Sequence, residues 1–228
     1  MMTKILGVCR SITAARSNGE VRRLLEELLC RELGWDLFAY VAHVSTCFAW
    51  DTAALMVTNY PARWLFHYLH KGFYKGDPLV NHCQNHNRPW VWTTDPRYWV
   101  NFDATAREIA AFARKEGWTG GVAFPVPAIP CRGTFALLTR KPFDAASEML
   151  ATAQLTGPAI GLHIHDALLG IALNRRFTPS TKRTSTSATS KRTSSSGPPK
   201  GNRANRSRIS WESASRWSSG ASRGCVSA

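Results

Sequence analysis

Apolar positions in the first part of the chain repeat with the periods of helices and strands. Over residues 20–33 they recur at steps of three and four, which predicts an amphipathic helix that is capped by Asn18 and ended by Gly34. Two runs rich in apolar, β-branched and aromatic side chains follow at residues 37–44 and 55–58. Each of these runs predicts a buried strand.

Two prolines mark helix starts in the next segment. Pro61 suits the first turn of a helix, because its missing N–H would have no partner there, and Gly72 ends that helix. Asp77 and Pro78 repeat the arrangement, with the carboxylate as cap and the proline at the first helical position. They lead into a second short helix over residues 79–84.

The remaining pattern predicts a strand, a helix, a hairpin and a helix, at residues 90–92, 104–116, 121–126 with 134–139, and 145–173. Asp103 caps the first of these helices and Gly117 ends it, whereas Gly157 and Pro158 should break or kink the last one. Strands paired mainly in antiparallel fashion, with helices on both faces, would bury every apolar surface. We therefore predict an α/β fold, an α-β-α sandwich built on an antiparallel sheet.

Residues 174–228 lose this periodicity. Fifteen of these 55 residues are Ser, and 12 Lys and Arg face a single acid, Glu212, so most of the net charge of +14 lies here. Such a segment buries too little apolar surface to offset its chain entropy. We predict two regions, a folded domain at residues 1–173 and a disordered basic tail at residues 174–228. The tail would bind nucleic acid at most non-specifically.

The cysteines and the apolar runs indicate the cellular compartment of the protein. None of the six Cys forms a pair with two-residue spacing, which is typical of reduced, structural thiols in a cytoplasmic protein. Lys4 is followed by no signal-peptide apolar run, and no stretch of about 18 uninterrupted apolar residues exists. We expect neither secretion nor a membrane span.

An unusual concentration of amphipathic side chains lies between residues 59 and 92. It comprises Tyr60, Trp64, Tyr68, Tyr74, Asp77, Trp90 and Trp92. Trp and Tyr combine an apolar body with one polar tip. A buried carboxylate is costly unless it is paired, and a ligand N–H would pair with it. The set predicts a pocket for an apolar ligand that carries carbonyls and an amide N–H.

The spacing within this segment identifies a family. The spaced residues are Asn59, Tyr60, Pro61, Trp64, Tyr68, Asp77, Pro78, Val80 and Trp92, followed downstream by Gly117, Gly121 and Pro125. Together they resemble the signature of the signal-binding half of LuxR-type acyl-homoserine-lactone receptors, over residues 20–173. The resemblance implies a quorum-sensing transcriptional regulator whose ligand is an N-acyl-homoserine lactone and which requires no cofactor.

The resemblance also implies a role for individual residues. Trp64 resembles the Trp whose indole N–H donates to the lactone carbonyl, and Asp77 the Asp that accepts from the ligand amide. Tyr60 resembles the Tyr whose hydroxyl meets the acyl carbonyl. Tyr68 and Trp92 resemble the walls around the chain and the ring. A ligand lacking the amide N–H should then be rejected strongly.

Two positions differ from the family pattern, and the pattern also decides between two tryptophans. Ala136 stands where many relatives carry a Ser that serves the acyl carbonyl, and Thr139, three residues later, is the candidate substitute. Leu79 stands where close relatives can carry a hydroxyl. We expect Trp90 and Trp92 to alternate on their strand, so that only one faces the pocket, and the resemblance selects Trp92.

Each of these residues also has an interpretation that involves no ligand. Taken singly, Trp64 and Tyr68 are typical core residues, and Asp77 is first of all a helix cap. His82, Cys83 and His86 lie within about one helical turn, but no further ligand is evident, so we predict no metal site. Cys83 beside a histidine could resemble a thiol nucleophile, but the sequence identifies no third group that would orient the histidine. We therefore predict that the protein is not an enzyme.

The C-terminal segment departs from the family pattern. A LuxR-type receptor should end in a helix-turn-helix domain. Phe177-Thr178-Pro179 resembles the opening of its first helix, but the expected apolar and acidic residues do not follow. Our hypothesis is a frame shift near codon 179 that leaves the DNA-binding half defective. We expect a homodimer or a heterodimer with an intact relative. The alternative function is a ligand-independent dimerisation partner that antagonises intact LuxR-type regulators.

Overall fold

The structure is a computed structural model, and it describes residues 2–43 and 55–177. The predicted tail therefore lies almost entirely outside the described residues, as do Cys47 and Cys225. The four described cysteines, Cys9, Cys30, Cys83 and Cys131, are free thiols.

The centre of the domain is a five-stranded sheet in which every neighbouring pair is antiparallel, as predicted. The strand order is β2-β1-β5-β4-β3. The strands are β1 (Leu37–Ala42), β2 (Met56–Thr58), β3 (Trp90–Thr93), β4 (Gly120–Val126) and β5 (Gly133–Thr139). The central strands β4 and β5 are buried along their whole length because helices cover both faces of the sheet.

Helices form the two outer layers, which confirms the α-β-α sandwich. One face carries α1 (Met2–Thr13), α2 (Asn18–Leu25) with its π-helical continuation Glu26–Glu32, and α6 (Ser147–Phe177). The other face carries α3 (Ala62–His70), α4 (Pro78–Asn85) and α5 (Ala104–Lys115).

The alternation of side chains along each strand separates two cores. Phe135 and Leu137 of β5 point toward α1, α2 and α6 and join the larger core. Ala136 and Leu138 point the other way, into a smaller core rich in tryptophan that lies beneath α3 and α5. This second core contains the candidate site.

Helix α1 was not predicted. Its buried residues are Ile5, Cys9 and Ile12, which share one face at helical spacing and pack in the larger core. Leu6 and Val8 are also apolar but lie outside this buried set, so the sequence signal is weak, and the packing of α1 against α6 makes it decisive.

The helix caps agree with the sequence in part. Asp77 and Asp103 cap α4 and α5 as predicted, through side-chain oxygens that accept from Leu79 N–H and Ala106 N–H. The predicted cap Asn18 was wrong: Ser17 is the N-cap of α2, and its hydroxyl accepts from Glu20 N–H. The capping oxygen therefore lies one residue earlier than expected.

Two proline positions differ from expectation. Pro61 is the N-cap of α3 rather than a residue of its first turn. Pro158 does not break α6, which continues as one helix to Phe177. Pro158 cannot donate to the carbonyl one turn earlier, but Ile160 and Ile164 beyond it are buried in the larger core and hold the helix on the sheet.

Within the described parts of the chain, we find no helix with the length and apolarity needed to cross a bilayer.

Candidate ligand-binding site

A cavity of about 610 Å³ lies between the sheet and helices α3, α4 and α5. This volume falls within the range of small-molecule sites, roughly 300–1,000 Å³. Six of the seven predicted site residues line it, namely Tyr60, Trp64, Tyr68, Asp77, Trp92 and Ala136. The fold thus brings together residues that are far apart in the sequence.

The floor of the cavity consists of small side chains on neighbouring strands. Ala136 of β5 is aligned with Ala39 of β1 on one side and with Ala123 of β4 on the other. Ala39 and Ala136 line the cavity. Because each methyl group projects little from the sheet, this row leaves space that larger residues would fill.

Aromatic rings close one end of the cavity. The Trp64 ring lies 4.1 Å from Trp118 and 4.7 Å from Phe112, measured between ring centroids. Tyr60 lies 5.3 Å from Trp118. Trp118 was missed by the sequence interpretation because it lies outside the segment 59–92, directly after the left-handed Gly117 that ends α5.

Two indole N–H groups at this end have no hydrogen-bond partner among the described residues. They belong to Trp92 and Trp118, and both nitrogens are buried. Buried donors are nearly always paired in folded proteins. Because both residues line the cavity, carbonyl oxygens of a bound ligand would supply acceptors close to these donors.

Asp77 is the one carboxylate among the cavity-lining residues, and it is 8% exposed. Its Oδ1 accepts from Leu79 N–H at 2.8 Å, and its Oδ2 accepts from the Tyr68 hydroxyl at 2.7 Å. Burial raises the pKa of this carboxyl, and the hydrogen bonds from Tyr68 and the backbone partly offset that effect. Each carboxylate oxygen can accept more than one bond, so Asp77 has room for a further donor.

The two tyrosines remain protonated donors. Burial and the Asp77 charge raise the pKa of both Tyr60 and Tyr68 above the ordinary value of 10.0. Tyr68 donates to Asp77 and orients it, while stacking on Trp64 at 6.3 Å between ring centroids. Tyr68 is therefore both a wall and a positioning residue.

Thr139 does not line the cavity. It lies three residues after Ala136 on β5, and an odd step on a strand places a side chain on the opposite face. Its hydroxyl lies 3.3 Å from Asp36 Oδ2 and accepts from Lys141 N–H. Thr139 therefore cannot replace the hydroxyl that Ala136 lacks.

Trp90 lies outside the cavity, but the expectation that Trp90 and Trp92 alternate between the faces of their strand was wrong. Trp90 and Trp92 are two residues apart and share a face of β3. Trp90 lies further along the strand, where its ring stacks near Phe102 and its indole N–H donates to the Tyr98 hydroxyl at 2.6 Å.

His82 and His86 stack at 4.7 Å between ring centroids, outside this cavity. His82 Nε2 lies 2.7 Å from the carbonyl oxygen of Arg88. Over residues 2–43 and 55–177, no group of three or more His, Cys, Asp or Glu is placed to hold a metal ion.

Comparison with known sequences places the chain in a family. The model of the autoinducer binding domain matches residues 17–168. Over 63 residues the chain is 33% identical to the transcriptional activator protein AnoR of Acinetobacter nosocomialis, an alignment that covers 28% of this chain and 26% of AnoR. The chain thus spans about a quarter of the length of that relative.

Solved structures show the same fold at low identity. CepR2 of Burkholderia cenocepacia, an N-acylhomoserine lactone dependent LuxR family transcription factor, superposes with a TM-score of 0.58 at 19% identity, covering 74% of this chain and 95% of CepR2. SdiA in complex with octanoyl-rac-glycerol superposes with a TM-score of 0.58 at 19% identity, covering 76% of this chain and 67% of SdiA. A structure of Escherichia coli SdiA superposes with a TM-score of 0.54 at 18% identity, covering 81% of this chain and 74% of SdiA.

The family match covers well over half of the chain, includes the cavity-lining residues of α3, α4 and β5, and confirms the resemblance drawn from the sequence. The chain belongs to the autoinducer-binding domain family, the signal-binding part of LuxR-type quorum-sensing regulators.

Proposed function

We propose that this chain is a quorum-sensing transcriptional regulator by descent and that its cavity binds an N-acyl-homoserine lactone. The observation that carries the proposal is that one largely apolar cavity is lined both by a buried carboxylate, Asp77, and by two buried indole N–H donors, those of Trp92 and Trp118. An acyl-homoserine lactone has the complementary groups, one amide N–H and two or more carbonyl oxygens.

In the proposed complex each polar group of the ligand meets one side chain. Asp77 accepts from the amide N–H, the Trp64 indole donates to the lactone carbonyl, and the Tyr60 hydroxyl donates to the acyl carbonyl. The acyl chain lies over the floor formed by Ala39 and Ala136. Trp118 adds a further donor beside the lactone ring.

Signal binding would act through stability. The cavity lies between the sheet and three helices, so a bound ligand would contact both layers and add apolar contacts between them. A ligand that binds only the folded state, at about a thousand times its dissociation constant, stabilises that state by about 4 kcal/mol. The signal would thereby raise the population of a dimer-competent form.

The amide N–H provides the sharpest test. An N-acyl-homoserine lactone and its ester analogue, in which an oxygen replaces the N–H, have nearly the same shape. Calorimetric titration of the protein should show binding at least about tenfold weaker for the ester, because Asp77 would face an oxygen instead of a donor.

Asp77→Asn should remove this preference. Asn is as good an N-cap as Asp, so α4 should persist. Asp103→Asn is the matched control, because Asp103 caps α5 in the same way but does not line the cavity. Equal affinities of the wild-type protein for amide and ester would contradict the role of Asp77.

We further propose that the DNA-binding half is defective. This rests on the composition of residues 178–228, where Ser, Thr and Arg replace the apolar periodicity of a helix-turn-helix. The coding DNA is the test: one alternative frame after codon 179 should encode that pattern, and its absence from both frames would refute the frame shift.

With such a tail the protein would act by pairing with an intact LuxR-type regulator, and any DNA binding would be non-specific and salt-sensitive. A chain that folds fully and pairs with that regulator without any lactone would instead support the alternative, a ligand-independent antagonist.

A further inference from the structure

The end of the cavity remote from the tryptophans is polar. His43, Gln84, Arg132 and Thr134 all line it. His43 directly follows β1, and its backbone N–H donates to the Arg132 carbonyl at 2.7 Å, which fixes it beside the start of β5. None of these residues belongs to the group that contacts the lactone and amide in the proposed complex.

The strand register shows how far this polar end lies from the indole end. Leu138 of β5 is aligned with Gly121 and, through it, with Trp92. Thr134 is four residues away along the same strand, which corresponds to about 13 Å. The alanine floor at Ala136 lies between them. A chain that starts at the indole end and crosses the alanines therefore ends at His43 and Thr134.

His43 and Thr134 form a hydrogen-bonded pair. His43 Nε2 lies 2.7 Å from the Thr134 hydroxyl oxygen. The other ring nitrogen, Nδ1, is buried and has no partner among the described residues. Burial and the nearby Arg132 charge lower the pKa of His43 to about 4, so the ring is neutral at pH 7 and needs one more hydrogen-bond partner.

Arg132 has a different role. Its guanidinium donates through Nε to the carbonyl oxygen of Cys83, and through Nη2 to the carbonyl oxygen of His86 and the side-chain oxygen of Asn87. These bonds hold the end of α4 against the start of β5, and none of them reaches His43.

We propose that the signal carries a hydroxyl group at the far end of its acyl chain and that His43 and Thr134 bind this hydroxyl. This inference rests on the proposed function. A hydroxyl both donates and accepts, so it fits His43 Nδ1 in either tautomer. A plain methyl end would leave the buried nitrogen unpaired, which disfavours binding.

The test compares two series of acyl-homoserine lactones, one with plain chains and one with a terminal hydroxyl, at matched chain lengths. Calorimetric titration of the full chain at pH 7 should show about tenfold tighter binding for the best hydroxylated ligand than for its plain counterpart. His43→Phe should abolish this preference, because the terminal hydroxyl then meets no ring nitrogen, so the two series should bind the variant with equal affinity. His163→Phe, on α6 across the sheet, is the matched control and should retain the preference.

Thr134→Val is a second, smaller change that should also weaken the preference for the hydroxylated series. It keeps the inference testable if His43→Phe fails to fold. Equal or tighter binding of the plain series to the wild-type protein overturns the inference but leaves the proposed function intact. If neither series binds, both are overturned.

Discussion

At the scale of single residues, Trp118 completes the site that the segment 59–92 begins. It packs on Trp64 and Tyr60, is 2% exposed, and carries a buried indole N–H without a partner among the described residues. A donor of this kind contributes only when an acceptor arrives with the ligand.

Trp118→Phe should therefore weaken lactone binding about tenfold, because it removes the indole N–H while keeping an aromatic ring at the position. Trp35→Phe is the control, because Trp35 is equally buried but belongs to the larger core on the other face of the sheet. Fluorescence or calorimetric titration measures both. Equal losses in the two variants would show a general effect of packing and not a contact with the ligand.

The half-buried His43 links stability to pH. Its pKa falls from an ordinary 6.5 to about 4 in the folded protein. Between these values the unfolded chain binds a proton that the folded chain does not, so the stabilisation present above pH 6.5 is lost as the pH falls toward 4. His165 has a lowered pKa for the same reason, burial.

From pH 7 to pH 5 the free energy of unfolding should fall by about 1–2 kcal/mol more in the wild-type protein than in His43→Phe. Urea unfolding at both pH values measures the difference. Parallel losses in the two proteins would mean that His43 is not shielded as the structure indicates.

The sequence predicted the site only where residue spacing carried the information. Tyr60, Trp64 and Asp77 fall on one motif, and the structure places them around one cavity. Trp118 and His43 reach that cavity through the fold alone, so no local pattern could identify them. Thr139 was assigned from its distance in sequence, and the two-residue period of the strand places it on the other face.

At the scale of elements, α6 depends on a close approach to β4. A Cβ on Gly157 would lie 2.4–2.7 Å from three ring atoms of Phe124, whereas a Cβ on Gly170 in the same helix would meet nothing within 4 Å. Gly157 therefore lets the helix lie directly on the sheet, and Gly170 has no such role.

Gly157→Ala should destabilise the protein by about 1–3 kcal/mol through overpacking. Gly170→Ala should stabilise it by about 0.5–1 kcal/mol, because alanine favours the helix. Urea unfolding of the two variants provides the comparison. A neutral or stabilising Gly157→Ala would show that α6 lies further from β4 than described.

The elements show why pattern reasoning identified most of the fold and missed the rest. Strong periods, as in α5 or β5, were recognised with nearly correct bounds. In α1, apolar residues outside the buried face, such as Leu6, obscure the helical period. Nothing in the composition of Glu26–Glu32 distinguishes a π-helix from an α-helix. The continuity of α6 through Pro158 depends on burial of the residues beyond it, which no local rule contains.

At the scale of the whole molecule, the two faces of the sheet differ in kind. The face toward α1, α2 and α6 is filled by interlocking aliphatic and aromatic side chains. The opposite face encloses the cavity beneath α3, α4 and α5. A ligand in that cavity supplies the contacts that side chains supply on the other side, so signal binding and stability should rise together.

The most direct measurement is a thermal melt of the full chain against acyl-homoserine lactones of graded chain length, with Asp77→Asn alongside. The account predicts a rise in Tm of several degrees for at least one chain length. That rise should be much smaller in the Asp77→Asn variant. A cooperative melt that no lactone shifts would contradict the central claim that this cavity is a working signal site.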